Sequence, residues 1–138
     1  MARDEIRLGI IGMGLNNMAS TFVMLNDVED LRYRISAICS VPQQTVDDCM
    51  AKFDVPFGTT DYRELVARDD VDVVCVFSPD HLHAAHAAAA MGAGKHVVCT
   101  KPMVTSLDDA KKLVKLVARR KTRFLVGQTM RFDRQFQI

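Results

Sequence analysis

Two segments of the chain carry polar side chains directly after an apolar run. HVVCTKP ends in Lys101 and Pro102, and VDVVCVF is followed by SPDHLHAAH at residues 78–86. An ammonium group at the end of a strand can donate a hydrogen bond to a ribose hydroxyl or to the oxygen of a carbonyl that is being reduced. Lys101 is therefore a candidate catalytic residue. The alternative is a solvated lysine in a loop that Pro102 breaks.

Strands and helices alternate along the sequence. Five apolar runs are continuous, as expected for strands that helices cover on both faces: residues 6–11, 34–39, 71–77, 96–99 and 123–127. The stretches between them have helical spacing or composition: residues 15–26, 43–53, 61–68, 81–91 and 106–120. In the last stretch, Ser106 and Asp109 resemble a capping box. The pattern predicts one α/β domain over residues 1–138, with an open, doubly wound parallel sheet of about six strands.

A sheet of this kind determines where a ligand binds. In open α/β sheets, ligands lie outside the carboxyl ends of the strands, near the point where the strand order reverses. Ser78, Pro79, Asp80 and His83 follow one of the runs and are candidate contacts. For His83, the alternative is a histidine that caps the first helical turn without a ligand. His83 and His86 share a helical face, but no cysteine or carboxylate completes a ligand set, so no metal site is predicted.

A glycine-containing loop follows the first predicted strand and opens the first predicted helix. It reads GIIGMGLNN, in which Gly12 permits a tight turn and Gly14 lets a pyrophosphate approach the amides of the helix start at Leu15 and Asn16. The third glycine of the GxGxxG pattern is replaced by asparagine, and a plain glycine turn is the alternative. The order of strand, loop and helix favours binding of a dinucleotide, either NAD or NADP.

The end of the second strand bears on which dinucleotide binds. An NAD-preferring domain normally has Asp or Glu there to bind the ribose 2′-hydroxyl, whereas this chain has Cys39 and Ser40. Ser40 does not repel a 2′-phosphate, yet the residues that follow include no arginine to hold one. The choice between NAD and NADP stays open, with a slight preference for NADP.

Charge and cysteine content exclude several classes of partner. Lys and Arg total 18 and Asp and Glu total 17, a net charge of +1 that indicates neither a nucleic-acid nor a membrane-surface partner. The cysteines form no CxxC pair, and three of them lie in apolar runs, as reduced core thiols do. The first residues form neither a secretory signal nor a membrane span. We therefore expect a cytoplasmic protein.

The ordered motifs GIIGMG, SPDHLH, GAGKHVVCTKP and VGQTMRF resemble the N-terminal domain of the Gfo/Idh/MocA oxidoreductases, which include glucose-fructose oxidoreductase and inositol dehydrogenases. In that family the lysine of a Glu-Lys-Pro motif contacts the nicotinamide ribose and the substrate. The resemblance implies this role for Lys101 and a cofactor contact for Pro102, while Thr100 departs from the motif. Asp80 departs from the asparagine of the family's Thr-Pro-Asn.

The resemblance also implies contacts after the sixth strand. Arg131 and Phe132 match an arginine-aromatic pair that enters the active-site crevice, and Gln128 is expected near the nicotinamide. From the residues alone, the alternative for Arg131 is an ordinary surface charge.

An activity and a missing part follow from the same resemblance. The expected parent enzyme transfers a hydride between the cofactor and a sugar, cyclitol or related polyol, and is a homo-oligomer. Its second α/β domain, which supplies the general acid or base, would begin after about residue 133 and be cut off here. We therefore expect these 138 residues alone to catalyse poorly or not at all. A dinucleotide sensor without chemistry and an inactive fragment are the alternatives.

Overall fold

The computed structural model describes residues 5–13 and 32–136. Within them a single sheet has six strands, all parallel, in the order β3-β2-β1-β4-β5-β6. The strands are β1 (Ile6–Ile11), β2 (Tyr33–Cys39), β3 (Gly58–Thr59), β4 (Val73–Val76), β5 (His96–Thr100) and β6 (Phe124–Gly127). The strand order reverses beside β1, whose neighbours are β2 and β4. The predicted doubly wound parallel sheet is therefore confirmed.

The helices follow the predicted alternation with some changes at their ends. They are α1 (Gln43–Phe53), α2 (Tyr62–Val66), α3 (His83–Gly92) and α4 (Leu107–Arg119). Short 3-10 turns cover Asp80–Leu82, Thr129–Phe132 and Arg134–Phe136. The helix predicted at residues 61–68 is longer than α2. The helix predicted to begin at residue 81 begins at His83, because a 3-10 turn precedes it. The predicted helix at residues 15–26 lies outside the described residues.

The start of α4 shows how the sequence sets a helix boundary. Ser106 has an extended backbone and its hydroxyl accepts a hydrogen bond of 3.1 Å from the amide of Asp109. The hydroxyl in turn donates to the Asp109 carboxylate over 2.8 Å. An N-cap of this kind is worth about 1 kcal/mol because it satisfies an amide that has no partner inside the helix. The predicted cap at Ser106 is confirmed.

The sheet is buried on both faces, which explains why its strands read as continuous apolar runs. Ile10 and Ile38 are fully buried in a cluster with Val46 of α1. The next residue along β1, Ile11, belongs to a second cluster that includes Met91 of α3 and residues of α4. Successive side chains of a strand point to opposite faces, so these clusters lie on opposite sides of the sheet. Burying each large side chain contributes about 1.5–3 kcal/mol.

The main chain after β1 packs directly against the main chain after β4. The amide of Gly12 donates to the carbonyl of Cys39 over 2.8 Å, and the amide of Phe77 donates to the carbonyl of Ile11 over 2.8 Å. Gly12 has φ +97°, and a Cβ added there would lie 2.5 Å from both the carbonyl carbon of Phe77 and the amide nitrogen of Ser78. Only glycine fits this turn without moving one of the two strand ends.

Replacing Gly12 by alanine should therefore destabilise the protein. We expect Gly12→Ala to lower the free energy of unfolding by about 2 kcal/mol or more, because a left-handed alanine and a main-chain overlap both add cost. Urea unfolding followed by circular dichroism measures the change.

Gly92→Ala is the matched control, because a Cβ at Gly92 would meet nothing within 4 Å. Its free energy of unfolding should stay within about 1 kcal/mol of the wild type. Equal losses in the two variants would contradict the close approach at Gly12.

Candidate active site

Most of the predicted site residues that the structure describes lie along one edge of the sheet. In a parallel sheet the carboxyl ends of all strands lie at the same edge, and the register here aligns the ends of neighbouring strands. Gly12, Ser40, Lys101 and Gln128 each directly follow the last residue of a strand, and Ser78 comes two residues after the end of β4. Gly14, Leu15 and Asn16, the remaining candidates of the glycine loop, lie outside the described residues.

Ser40 supports the turn after β1. Its hydroxyl accepts a hydrogen bond of 3.3 Å from the amide of Met13, and its own amide donates to the carbonyl of Thr59 over 3.2 Å. Ser40 is 8% exposed, so only a small part of its surface is accessible at the edge of the sheet. A hydroxyl that accepts at this bond still has its own hydrogen to donate. Ser40 thus has one hydrogen to donate to a sugar oxygen of the ligand.

The hydroxyl of Ser78 contacts a histidine of α3. Its hydroxyl oxygen lies 2.8 Å from Nδ1 of His86, and Ser78 is 7% exposed. The His86 ring in turn packs on Tyr62, with ring centroids 4.4 Å apart. Burial lowers the pKa of His86 from 6.5, and the charges of His83 and Arg63 lower this pKa further. His86 is therefore a neutral partner for the Ser78 hydroxyl.

His83 does not present its ring to the edge of the sheet. It is fully buried, with Nε2 at 2.7 Å from the carbonyl oxygen of Ser78 and Nδ1 at 2.7 Å from the carbonyl oxygen of Pro102. Both ring nitrogens are thus occupied by main-chain oxygens. The prediction of a direct cofactor contact at His83 needs correction, because its ring joins the loop after β4 to the loop after β5 instead.

The remaining candidates form the exposed part of the edge. Lys101 is exposed directly after β5, and the peptide bond to Pro102 is cis. The other exposed candidates are Pro79, Asp80, Gln128 and Arg131. The amide of Arg131 donates to the carbonyl of Gln128 over 2.9 Å, which forms the turn after β6. The edge therefore combines the main-chain turn at Gly12 with the exposed side chains of Lys101 and Gln128.

Two residues of this arrangement were not predicted from the sequence. The sequence predicts neither the contact of His86 with the Ser78 hydroxyl nor the packing of Tyr62 on the His86 ring. The spacing of His83 and His86 does place both rings on the buried side of α3, so the sequence held a signal for His86. The contact of Tyr62 with His86 joins α2 to α3 and depends on the tertiary structure.

The described residues also limit other chemistries. Across residues 5–13 and 32–136, no group of three or more His, Cys, Asp or Glu side chains is arranged to hold a metal ion. Burial raises the pKa of Cys75 to about 12 and that of Cys99 to about 11. These thiols stay protonated near neutral pH, so they are poor nucleophiles.

No helix in the described part of the chain is long and apolar enough to cross a membrane.

Fold and site together define a dinucleotide-binding α/β domain. The strand order is that of the nucleotide-binding fold, and a glycine turn lies at the point where this order reverses. Gly12, where a Cβ would clash with the main chain after β4, forms the tight turn that precedes the phosphate-binding glycine in folds of this kind. The residues present therefore fit a nicotinamide dinucleotide.

Comparison with known families agrees with this class. The sequence model of the Gfo/Idh/MocA family, described as "Oxidoreductase family, NAD-binding Rossmann fold", matches residues 6–128. The chain belongs to this family. The predicted family is confirmed, as is a nicotinamide dinucleotide as its cofactor. The family description names NAD, which does not favour the slight preference for NADP drawn from Ser40.

Proteins named as dehydrogenases are among the relatives of this chain. A 1-carboxy-3-chloro-3,4-dihydroxycyclohexa-1,5-diene dehydrogenase of Comamonas testosteroni is 31% identical over 130 residues, which cover 93% of this chain and 32% of the relative. The apo scyllo-inositol dehydrogenase of Lactobacillus casei has a TM-score of 0.84 at 25% identity, over 96% of this chain and 39% of that one. Levoglucosan dehydrogenase in complex with NADH has a TM-score of 0.80 at 25% identity, over 92% and 36%. The chain thus spans 32% to 39% of the length of these relatives.

The buried neutral His86 predicts a pH dependence of stability. Its folded-state pKa lies below 6.5, so the unfolded chain takes up a proton before the folded one does. The contribution of His86 to the free energy of unfolding is therefore complete above about pH 6.5 and decreases as the pH falls below it. We expect the stability difference between the wild type and His86→Gln to narrow on acidification, as measured by urea unfolding at a series of pH values. A difference that stays constant from about pH 8 to about pH 5 would contradict this assignment.

Proposed function

We propose that the chain is the cofactor-binding domain of an NAD-dependent dehydrogenase that transfers a hydride between the nicotinamide and a hydroxyl or keto group of a small polyol-like ring compound. The observation that carries the proposal is that Lys101 is exposed at the end of β5. β5 pairs with β4, and the loop after β4 packs against the turn at Gly12. The names of two relatives support the substrate class. One acts on a dihydroxylated six-membered ring and one on scyllo-inositol.

Each part of the edge has a role in this proposal. The tight turn at Gly12 leads into the loop of Gly14, whose following amides bind the pyrophosphate, and the hydroxyl of Ser40 donates to the adenosine ribose. Lys101 donates to the nicotinamide ribose and to the oxygen of the reacting carbon. Gln128 and Arg131, at the end of β6, contact the nicotinamide side. The bound nicotinamide supplies the hydride acceptor or donor.

The ammonium of Lys101 acts by stabilising charge. When a hydroxyl is oxidised, its oxygen develops negative charge as the proton leaves, and a cation within hydrogen-bond reach lowers the free energy of that transition state. A separate group must accept the proton at the same oxygen. We propose that this group belongs to a second domain of the full-length parent that starts after about residue 133, and that these 138 residues by themselves are poorly active.

Calorimetric titration of this chain tests the proposal at its first step. We expect NADH to bind with a dissociation constant well below millimolar, because the strand order and the glycine turn are those of a dinucleotide-binding fold and Lys101 is exposed at the same edge. Titration with NADPH in parallel measures the preference for the ribose 2′ position. Absence of NADH binding at millimolar concentration would favour an inactive fragment, and binding without turnover in the full-length parent would favour a sensor.

Substitution of Lys101 tests the chemistry. In the full-length parent, Lys101→Met should lower kcat/KM by about 30-fold or more, since loss of a transition-state contact costs about 2 kcal/mol. Lys111→Met is the matched control, because Lys111 is an exposed lysine of α4 that the proposal does not use. Turnover of Lys101→Met within a few-fold of the control would rule out this role for Lys101.

A further inference from the structure

His83 is a buried polar side chain to which the proposed function gives no role. Its two ring nitrogens each lie 2.7 Å from a carbonyl oxygen, one of Ser78 and one of Pro102. A carbonyl oxygen accepts hydrogen bonds and cannot donate them. Each contact is therefore a hydrogen bond only if the ring nitrogen carries a hydrogen.

A neutral imidazole has a single N–H. In that form, His83 would direct a nitrogen lone pair at a carbonyl oxygen over 2.7 Å, in a position with 0% exposure where water cannot intervene. The imidazolium has two N–H groups and satisfies both oxygens. A charged donor also makes a bond roughly twice as strong as a neutral one.

We propose that His83 is a buried imidazolium that ties the loop after β4 to the loop after β5, and that through this tie it positions Lys101. The part that concerns Lys101 rests on the proposed function. His83 is a positioning residue, because it acts on the ammonium through the main chain of Pro102, the residue that follows Lys101.

The surroundings of His83 fit a charged ring. His86 lies one turn further along α3, and its burial lowers its pKa. The two histidines thus avoid mutual repulsion because one of them stays neutral. Burial, which keeps His86 neutral, and the start of α3 both disfavour a cation at His83. His83 differs from His86 in that each of its ring nitrogens faces a carbonyl oxygen over a short distance that is shielded from water.

The tie also joins the two halves of the proposed site. The carbonyl of Ser78 is bound to His83, while the amide of Ser78 lies against the turn at Gly12, where a Cβ would come within 2.5 Å. The carbonyl of Pro102 is bound to the opposite side of the same ring. One side chain therefore links the loop that packs against the glycine turn to the loop that carries the ammonium, beyond the last paired residues of β4 and β5.

Nitrogen-15 NMR of the ring nitrogens tests the charge without any cofactor. At neutral pH we expect one histidine to show two protonated nitrogens, and its signals to be missing from the spectrum of His83→Gln. If this variant does not fold, His81→Gln and His96→Gln, at exposed and half-buried positions, together with His86→Gln, assign the remaining ring by elimination. An unprotonated nitrogen in the His83 ring would overturn the proposal.

A double-mutant cycle tests the link to Lys101. We expect His83→Gln to weaken NADH binding about tenfold in the wild-type background and by less than about threefold in the Lys101→Met background, because the benefit of positioning ends when the ammonium is removed. Equal effects in both backgrounds would mean that His83 is merely structural.

Met91→Ala controls for general destabilisation, because Met91 is fully buried in α3 and lies among core residues rather than at the strand ends. At a temperature where this variant is folded, it should bind NADH like the wild type. A loss equal to that of His83→Gln would overturn the positioning role. If the wild type itself does not bind NADH, the proposed function fails, while the ring spectrum still decides the charge of His83.

Discussion

The close approach of two stretches of main chain, after β1 and after β4, is the constraint on which the site depends. Gly12 meets the carbonyl of Phe77 and the amide of Ser78 without a side chain between them. Since β1 is hydrogen-bonded to β2 on one side and to β4 on the other, this contact fixes both halves of the sheet at the point where the strand order reverses. A shift of one strand end would therefore move both the turn at Gly12 and the loop that begins at Ser78.

Polar groups at the edge of the sheet can be buried because side chains of α3 form hydrogen bonds with them. The apolar centre of each strand needs no polar partner, but the strand ends carry carbonyl and hydroxyl groups that are buried along with it. His83 and His86 bind the carbonyl and the hydroxyl of Ser78, respectively. An unsatisfied buried polar group costs about 1–3 kcal/mol, so the histidines stabilise the fold as well as shape the site.

The sequence predicted the features that leave a local signature. Strands buried on both faces leave continuous apolar runs, and Ser106 before a charged turn marks a helix start, so both were found. β3 has two residues and no apolar run, and it forms because Gly58 and Thr59 pair with the end of β2. The role of His83 depends on Pro102, which is 19 residues away. No local pattern distinguishes a ring that faces a ligand from one that faces main chain, and nothing in the structure explains Thr100 in place of glutamate.

Anchoring the loop of Lys101 does not by itself orient the ammonium. A free lysine side chain carries about 2 kcal/mol of rotamer entropy, and a bond from His83 to the carbonyl of Pro102 restrains the main chain without restraining the lysine χ angles. The ammonium is exposed, so the protein leaves that entropy to be lost when a ligand binds. In the proposed function, the ribose hydroxyls of the cofactor are what complete the orientation. The substrate oxygen then meets an ammonium that the cofactor has already ordered, which favours binding of the cofactor before the substrate.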